Sequence, residues 1–166
     1  QIAYNLNDVG KLKSEALSLH LKELRKEVNT LVIGKKIDNN FDFSIFDSCS
    51  YVFDCIDDIK AKVLLIKYCK SKGIKIISSL GMGNRLNSTE IIITKLNKTT
   101  SDPLAKKLRY LLKESNVDIS NIIVSFSKEK PIIKSRIVSS MAFVPNASGL
   151  AMASYALRDI LEIKED

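Results

Sequence analysis

The sequence contains few of the residues from which metal centres are built. It has three cysteines, Cys49, Cys55 and Cys69, and no two of them form a Cys-x-x-Cys pair. A zinc site of four thiolates, which two such pairs would supply, is therefore excluded. Unpaired cysteines fit a reduced cytoplasmic setting best. Because Cys55 lies in an apolar strand-like run and Cys69 in a helical pattern, we expect both to be structural residues and not nucleophiles.

Other common functional signals are also missing. No apolar run approaches the roughly 20 residues that a membrane-spanning helix needs, so we expect a soluble protein. The six glycines form neither of the phosphate-binding patterns G-x-G-x-x-G and G-x-x-x-x-G-K-S/T. Gly81 and Gly83 permit either a plain turn or a close approach of the backbone to a ligand. The single histidine, His20, has no serine, cysteine or second histidine at a recognisable spacing, and we assign it no role.

The sequence does have enough apolar residues for one core, together with an excess of positive charge. With 166 residues, of which 45% are hydrophobic, we expect a single domain over residues 1–166. The net charge of +7 favours an anionic partner such as a nucleotide or RNA, although a lysine-rich surface explains it equally well. Because the sequence begins with Gln1 and shows no leader, we expect a fragment or processed piece of a longer protein.

The most informative segment is an apolar run that ends in carboxylates. The run Tyr51-Val-Phe-Asp-Cys-Ile-Asp-Asp58 is typical of a buried strand, and a helical pattern from Ile59 to Lys72 and a second apolar run from Gly73 to Leu80 complete a strand, helix, strand unit. Ligands of open α/β sheets bind outside the carboxyl ends of such strands. We interpret Asp58 as a helix cap and Asp57 as a candidate site residue, with capping as the alternative for Asp57.

Further elements are predicted on both sides of this unit. The pattern predicts helices from Lys11 to about Asn29 and from Pro145 to Arg158. It predicts strands from Thr30 to Ile37, from Glu90 to Leu96 and from Asn121 to Ser127. Another helix is expected to start at Ser101-Asp102-Pro103, and its Lys106, Lys107 and Arg109 form either a basic groove wall or a solvated face. We expect the charged connector from Lys128 to Arg136 to be mobile. These elements predict a Rossmann-like, doubly wound α/β sheet, mainly parallel with an antiparallel extension.

Five segments, taken in order, resemble a known family. They are Gln1, Val9-Gly-Lys-Leu-Lys13, Tyr51-Val-Phe-Asp-Cys-Ile-Asp57, Ser101-Asp-Pro-Leu-Ala-Lys-Lys-Leu-Arg109 and Ala142-Phe-Val-Pro-Asn-Ala-Ser-Gly149. Together they resemble the ThiF/HesA adenylating superfamily, which is related to ubiquitin-activating enzymes, and the last two resemble its tRNA threonylcarbamoyladenosine dehydratases. The resemblance spans nearly the whole chain, and the combination of motifs is specific although each motif alone is weak.

The resemblance implies that the front of the enzyme is absent from this sequence. In the family, a glycine-rich ATP loop lies in the first third of the chain and is followed by an Asn-x-x-Arg-Gln motif. Gln1 resembles the last residue of that motif. The sequence therefore corresponds to the carboxyl-terminal two-thirds of the family fold, without its first β-α-β segment.

The resemblance also implies a site for ATP and Mg²⁺. Lys13 matches a family lysine that contacts the ATP phosphates, and Asp57 matches an aspartate that holds the magnesium-bound phosphates. Gln1, Lys13 and Asp57 are thus the expected cofactor-binding residues, with Asp57 also the catalytic and metal-binding residue. We expect Lys13 and Asp57 to meet around the same triphosphate.

The chemistry that the resemblance implies is adenylation of a carboxylate. A substrate oxygen attacks the α-phosphorus of ATP and pyrophosphate leaves. In the dehydratases the substrate is the threonyl carboxylate of threonylcarbamoyladenosine at position 37 of tRNA, where a ring closes with loss of AMP. Some dehydratases carry a cysteine in the crossover loop, but the stretch from Lys128 to Ser140 has none. This puts a covalent intermediate in doubt.

Two other functions stay open at this stage. One is an activating enzyme for a ubiquitin-like sulfur carrier, and the other is a binding or assembly module with no activity of its own. The absence of paired cysteines and the charge of +7 favour tRNA as substrate. We expect a homodimer, and a sulfur-transfer protein is a further partner that the family allows. These 166 residues alone are expected to be inactive and to bind ATP weakly.

Overall fold

The computed structural model describes residues 2–133 and 137–163. The chain forms two compact units, Gln1–Lys36 and Ile37–Asp166. The single domain predicted over residues 1–166 stays a prediction.

The first unit contains one regular helix, α1, at Lys13–Leu24. The predicted helix is too long at both ends, and only part of its apolar stripe is buried, since Ala16 is buried whereas Leu24 is 84% exposed. His20 has a structural environment, with its Nδ1 2.9 Å from the carbonyl oxygen of Ala3 and its Nε2 3.3 Å from Asp8 Oδ2. These contacts agree with the absence of a catalytic assignment.

The strand predicted from Thr30 to Ile37 is wrong, because residues 30–37 have no regular secondary structure. The described part of the first unit has no other strand, and a strand without a neighbour leaves its backbone donors and acceptors unpaired. The β-branched residues of this stretch therefore indicate a strand only locally.

The second unit is built on one four-stranded sheet. Its strands are β1 (Tyr51–Asp54), β2 (Lys75–Ser79), β3 (Ile91–Lys95) and β4 (Ile123–Ser127), in the order β1-β2-β4-β3. The pairs β1/β2 and β2/β4 are parallel, whereas β3 runs antiparallel to β4. The expected α/β sheet, mainly parallel with an antiparallel extension, is confirmed.

Helices α2 (Ile59–Lys72) and α3 (Pro103–Glu114) lie on one face of this sheet, and α4 (Phe143–Ile160) lies on the other. Their starts follow local signals in the sequence. The Asp58 side chain accepts hydrogen bonds from the backbone of Lys60 and Ala61 at 2.8 and 3.2 Å, and the Asp102 side chain caps α3. The capping interpretation of Asp58 is therefore confirmed.

The core lies between the sheet and the pair of helices α2 and α3. Buried residues of this core include Val52, Leu65, Ile66, Cys69, Ile76, Leu108, Leu112 and Val124. Cys69 is fully buried in this core, as expected for a structural cysteine, and burial raises the pKa of its thiol to about 11.

The expected position of Cys55 inside an apolar strand is wrong. β1 ends at Asp54, and Cys55 is exposed in the segment that follows. Partial desolvation and the negative charge of Asp54 still raise the pKa of its thiol, which opposes a nucleophilic thiolate.

Small side chains let α4 approach the sheet closely. Ser148 of α4 donates a hydrogen bond to Ser125 Oγ of β4 at 2.8 Å and lies 3.0 Å from Ser79 Oγ of β2. This helix begins at Phe143, two residues before the predicted start at Pro145. None of the helices in the described ranges has the length and apolar character that crossing a bilayer requires.

Candidate functional site

The carboxyl ends of the three parallel strands define the candidate site. β1, β2 and β4 point the same way, so the segments that follow Asp54, Ser79 and Ser127 emerge at one edge of the sheet. Asp57 lies in the segment between β1 and α2 and is exposed. It makes no hydrogen bond or ion pair with any other residue that the structure describes. A free, exposed carboxylate at this edge is available to a ligand.

A buried ion pair lies beneath the segment that carries Asp57. Lys62 Nζ of α2 is 2.7 Å from Asp54 Oδ2 at the end of β1, and both side chains are fully buried. Lys62 also donates a hydrogen bond to the carbonyl oxygen of Ser79 at 3.0 Å. The other carboxylate oxygen of Asp54 accepts a hydrogen bond from the backbone of Ile56 at 3.1 Å. One lysine thus connects the ends of β1 and β2.

Sequence reasoning missed Lys62. The signal that could have found it is its place on the buried stripe of α2, where Ala61, Leu65, Ile66 and Cys69 are also buried. A charged residue on such a stripe requires a partner. Asp54, the nearest strand-end carboxylate in the sequence, is that partner.

A second buried ion pair holds the loop that follows β2. Arg85 Nη2 lies 3.6 Å from Asp102 Oδ2, and both side chains are almost fully buried. Asp102 also accepts a hydrogen bond from the backbone of Gly81 at 3.2 Å, and Arg85 donates one to the carbonyl oxygen of Glu129 at 2.8 Å. The start of α3 is thereby tied to the carboxyl edge.

The glycines of this loop accommodate protein neighbours. A Cβ at Gly83 would lie 2.1 Å from Val138 Cγ1, so any side chain there would collide with the chain itself. The close approach that the sequence suggested at Gly83 is therefore an approach to Val138.

The carboxylate of Glu129, in the connector predicted to be mobile, accepts hydrogen bonds from the backbone of Leu86 and Asn87 at 3.0 and 2.8 Å. Residues 134–136 of that connector lie outside the described residues, and its mobility stays a prediction.

The predicted site residues are distributed over both units. Lys13 is the first residue of α1 in the first unit and is exposed, whereas Asp57 belongs to the second unit. Gln1 lies outside the described residues. A shared triphosphate between Lys13 and Asp57 stays a prediction.

The single carboxylate of Asp57 suits a metal ion that takes most of its ligands from a bound substrate. Across residues 2–133 and 137–163, no group of three or more His, Cys, Asp and Glu side chains could hold a metal ion. Mg²⁺ commonly binds proteins through one or two carboxylates and takes its remaining ligands from phosphates and water. A single exposed carboxylate at the carboxyl edge of the parallel strands fits that pattern.

Comparison with known proteins identifies the family. The ThiF family model matches residues 1–166. The chain belongs to the ThiF family. The resemblance that the motifs indicated is therefore confirmed.

Named relatives of this family are tRNA threonylcarbamoyladenosine dehydratases. The chain is 28% identical to the one from Bacillus subtilis, over 95% of this chain and 69% of the relative. It is 35% identical to dehydratase 2 of Saccharomyces cerevisiae, over 76% of this chain but only 29% of the relative. The crystal structure of the Escherichia coli dehydratase with AMP superposes with a TM-score of 0.90 at 27% identity, over 98% of this chain and 69% of that one. The chain thus spans well under two-thirds of the yeast relative and slightly more than two-thirds of the other two.

Proposed function

We propose that the protein catalyses the ATP-dependent dehydration of threonylcarbamoyladenosine in tRNA. The observation that carries the proposal is the exposed carboxylate of Asp57, which no described residue binds, at the carboxyl edge of the parallel strands in a family member that resembles dehydratases. The E. coli relative binds AMP and ATP in its crystal structures, which supports ATP as the cofactor. The carboxylate and the strand edge suit a magnesium-bound triphosphate.

The residues have simple roles in the proposed reaction. The threonyl carboxylate attacks the α-phosphorus of ATP with pyrophosphate as the leaving group, and ring closure then releases AMP. Bound Mg²⁺ would supply charge neutralisation on the phosphates. Asp57 would hold that ion, while Lys13 would add a positive charge and Gln1 a polar contact to the nucleotide. Such catalysis depends on position and charge more than on covalent chemistry.

The outer face of α3 supports tRNA as the substrate. Lys106, Lys107 and Lys113 are exposed there beside Tyr110, whose side chain is 61% exposed. Lysines neutralise phosphates, and an exposed aromatic ring offers a stacking surface for a base. Because the cap of α3 binds Gly81 directly after β2, this face begins at the same edge as Asp57.

We further propose a homodimer, which the exposed apolar residues of α4 support, and a cytoplasmic location, which the free cysteines support. We also propose that a sulfur-transfer protein is a partner and that residues 1–166 form a single domain.

ATP–pyrophosphate exchange by the full-length protein tests the function. Exchange is measured with tRNA that carries threonylcarbamoyladenosine, with the same tRNA lacking that group, and with a ubiquitin-like sulfur carrier, and mass spectrometry of the digested tRNA detects the cyclic product. We expect exchange and product with the first substrate alone. Exchange that requires the carrier would establish the activating-enzyme alternative, and no exchange with any substrate would favour a binding module.

Replacement of Asp57 by Asn tests the site. It removes the negative charge that holds the metal-bound phosphates, so we expect turnover to fall by roughly a hundredfold. Asp118→Asn is the matched control, because Asp118 is an exposed carboxylate that precedes β4 and so lies towards the opposite edge. Equal rates for Asp57→Asn and the control would assign Asp57 no catalytic role.

A further inference from the structure

The pair formed by Asp54 and Lys62 is a buried charge pair in a position where an apolar pair would pack. Both side chains are fully buried, and their charged atoms are 2.7 Å apart. Removing two charges from water is costly, and apolar residues of similar volume often stabilise a fold as well or better. Stability alone therefore gives little reason for this pair.

The geometry of the pair provides another reason. Asp54 bonds Lys62 with one carboxylate oxygen and the backbone of Ile56 with the other. On the far side of Asp57, the Asp58 side chain caps α2, the helix that carries Lys62. Asp57 therefore lies on a short segment whose two ends are fixed by neighbouring hydrogen bonds, while its own carboxylate has no partner among residues 2–133 and 137–163.

We propose that Lys62 is a positioning residue for Asp57. Acting through Asp54, it sets the backbone of residues 55–57 so that the Asp57 carboxylate is held towards its metal-bound phosphates. Its bond to the carbonyl oxygen of Ser79 also fixes the end of β2 against that of β1. The inference rests on the proposed function, in which Asp57 binds a magnesium nucleotide.

The test is a double-mutant cycle in the full-length protein. Loss of Lys62 alone leaves Asp54 buried without a partner, which endangers folding. The pair is therefore replaced as a unit by Asp54→Leu with Lys62→Met, which is apolar and similar in volume. This paired variant is compared with the parent, with Asp57→Asn and with the triple variant, and Lys67→Met, at an exposed position of α2, is the control.

The expected results separate positioning from structure. The paired variant should melt within a few degrees of the parent, yet its turnover should fall about tenfold to a hundredfold and its half-saturating Mg²⁺ concentration should rise, as for other residues that orient a metal ligand. In the Asp57→Asn background, the same replacement should lower turnover by less than about twofold, because its effect passes through Asp57. Lys67→Met should resemble the parent throughout.

Two results would overturn the inference while leaving the proposed function intact. One is a paired variant with parental melting temperature, turnover and Mg²⁺ dependence, and the other is an effect of equal size with and without the Asp57 carboxylate. A parental rate for Asp57→Asn would instead defeat the proposed role of Asp57, and the inference with it.

Discussion

At the residue scale, the carboxylates of Asp54, Asp57 and Asp58 lie close together in sequence but in different environments. Asp54 is buried against Lys62, Asp58 caps α2, and Asp57 is exposed. The residue type is the same in each case, so burial and hydrogen bonding decide what each carboxylate can do. Among the contacts of the described residues, the carboxylate of Asp57 is the free one of the three, and Asp57 is the residue for which the family resemblance implies a role at the phosphates.

Cys69 gives a prediction about pH at this scale. Its pKa is raised from 9.0 to about 11 in the folded protein, chiefly by desolvation. The unfolded state therefore loses its thiol proton first, and the stability contributed by the protonated thiol is full below pH 9.0 and declines as the pH rises towards about 11. We expect urea denaturation to show this decline, and Cys69→Ala to reduce it. A parental pH dependence in Cys69→Ala would contradict the assignment.

At the element scale, the three basic residues Lys106, Lys107 and Arg109 of α3 have different environments. Arg109 turns inward and donates a hydrogen bond to the carbonyl oxygen of Thr99 at 3.1 Å. The solvated face or groove wall expected for Arg109 is therefore wrong, because this guanidinium binds the carbonyl groups of the segment before α3. Lys106 and Lys107 remain exposed. Of the three basic residues singled out in the sequence, Lys106 and Lys107 therefore keep an exposed position that suits RNA binding.

The exposed lysines of α3 give a prediction about tRNA. We expect Lys106→Gln with Lys107→Gln to weaken tRNA binding and to make the salt dependence shallower by about one unit for each phosphate that is no longer neutralised. The affinity for ATP should not change. Fluorescence anisotropy with labelled tRNA over a salt series measures this effect. Lys67→Gln with Lys70→Gln on α2 is the matched control, and an equally weakened affinity in that variant would mean that total charge, and not this face, binds tRNA.

At the scale of the whole molecule, the outer side of α4 carries an exposed apolar stripe that suits contact with a second copy of the protein. Phe143, Leu150 and Leu157 recur every seven residues along it and are 56%, 73% and 57% exposed. Apolar surface of this kind is typical of an interaction site. Its small inward residues already pack on the sheet, so this outward stripe is available to a second copy.

The proposed homodimer follows from this stripe. We expect Leu150→Lys to convert a dimer into a monomer, measured by light scattering after size-exclusion chromatography, because the substitution places a charge within the apolar contact. Leu24→Lys is the control, since Leu24 is 84% exposed at the end of α1. A monomeric parent protein, or a dimer that survives Leu150→Lys, would contradict this interface.

Much of the fold could be predicted because its signals are local. The strand, helix, strand unit from Tyr51 to Leu80 agrees with β1, α2 and β2 within a few residues. Caps at Asp58 and Asp102 depend only on bonds to residues two or three positions away. The false strand from Thr30 to Ile37 shows where this reasoning ends, because a strand depends on a neighbour that the local pattern does not reveal.

By itself, the sequence determined the starts of α2 and α3, the apolar strands of the sheet, the family motifs and the choice of Asp57 as a candidate, since each depends on residue type and short spacing. Only the tertiary structure decided that Asp54 and Lys62 neutralise each other, that Arg85 and Asp102 join the loop after β2 to α3, and that Cys55 is exposed. The two ion pairs join residues from different elements. Their energies depend on burial and on distances of a few ångströms, and both are set only when the sheet and its helices pack together.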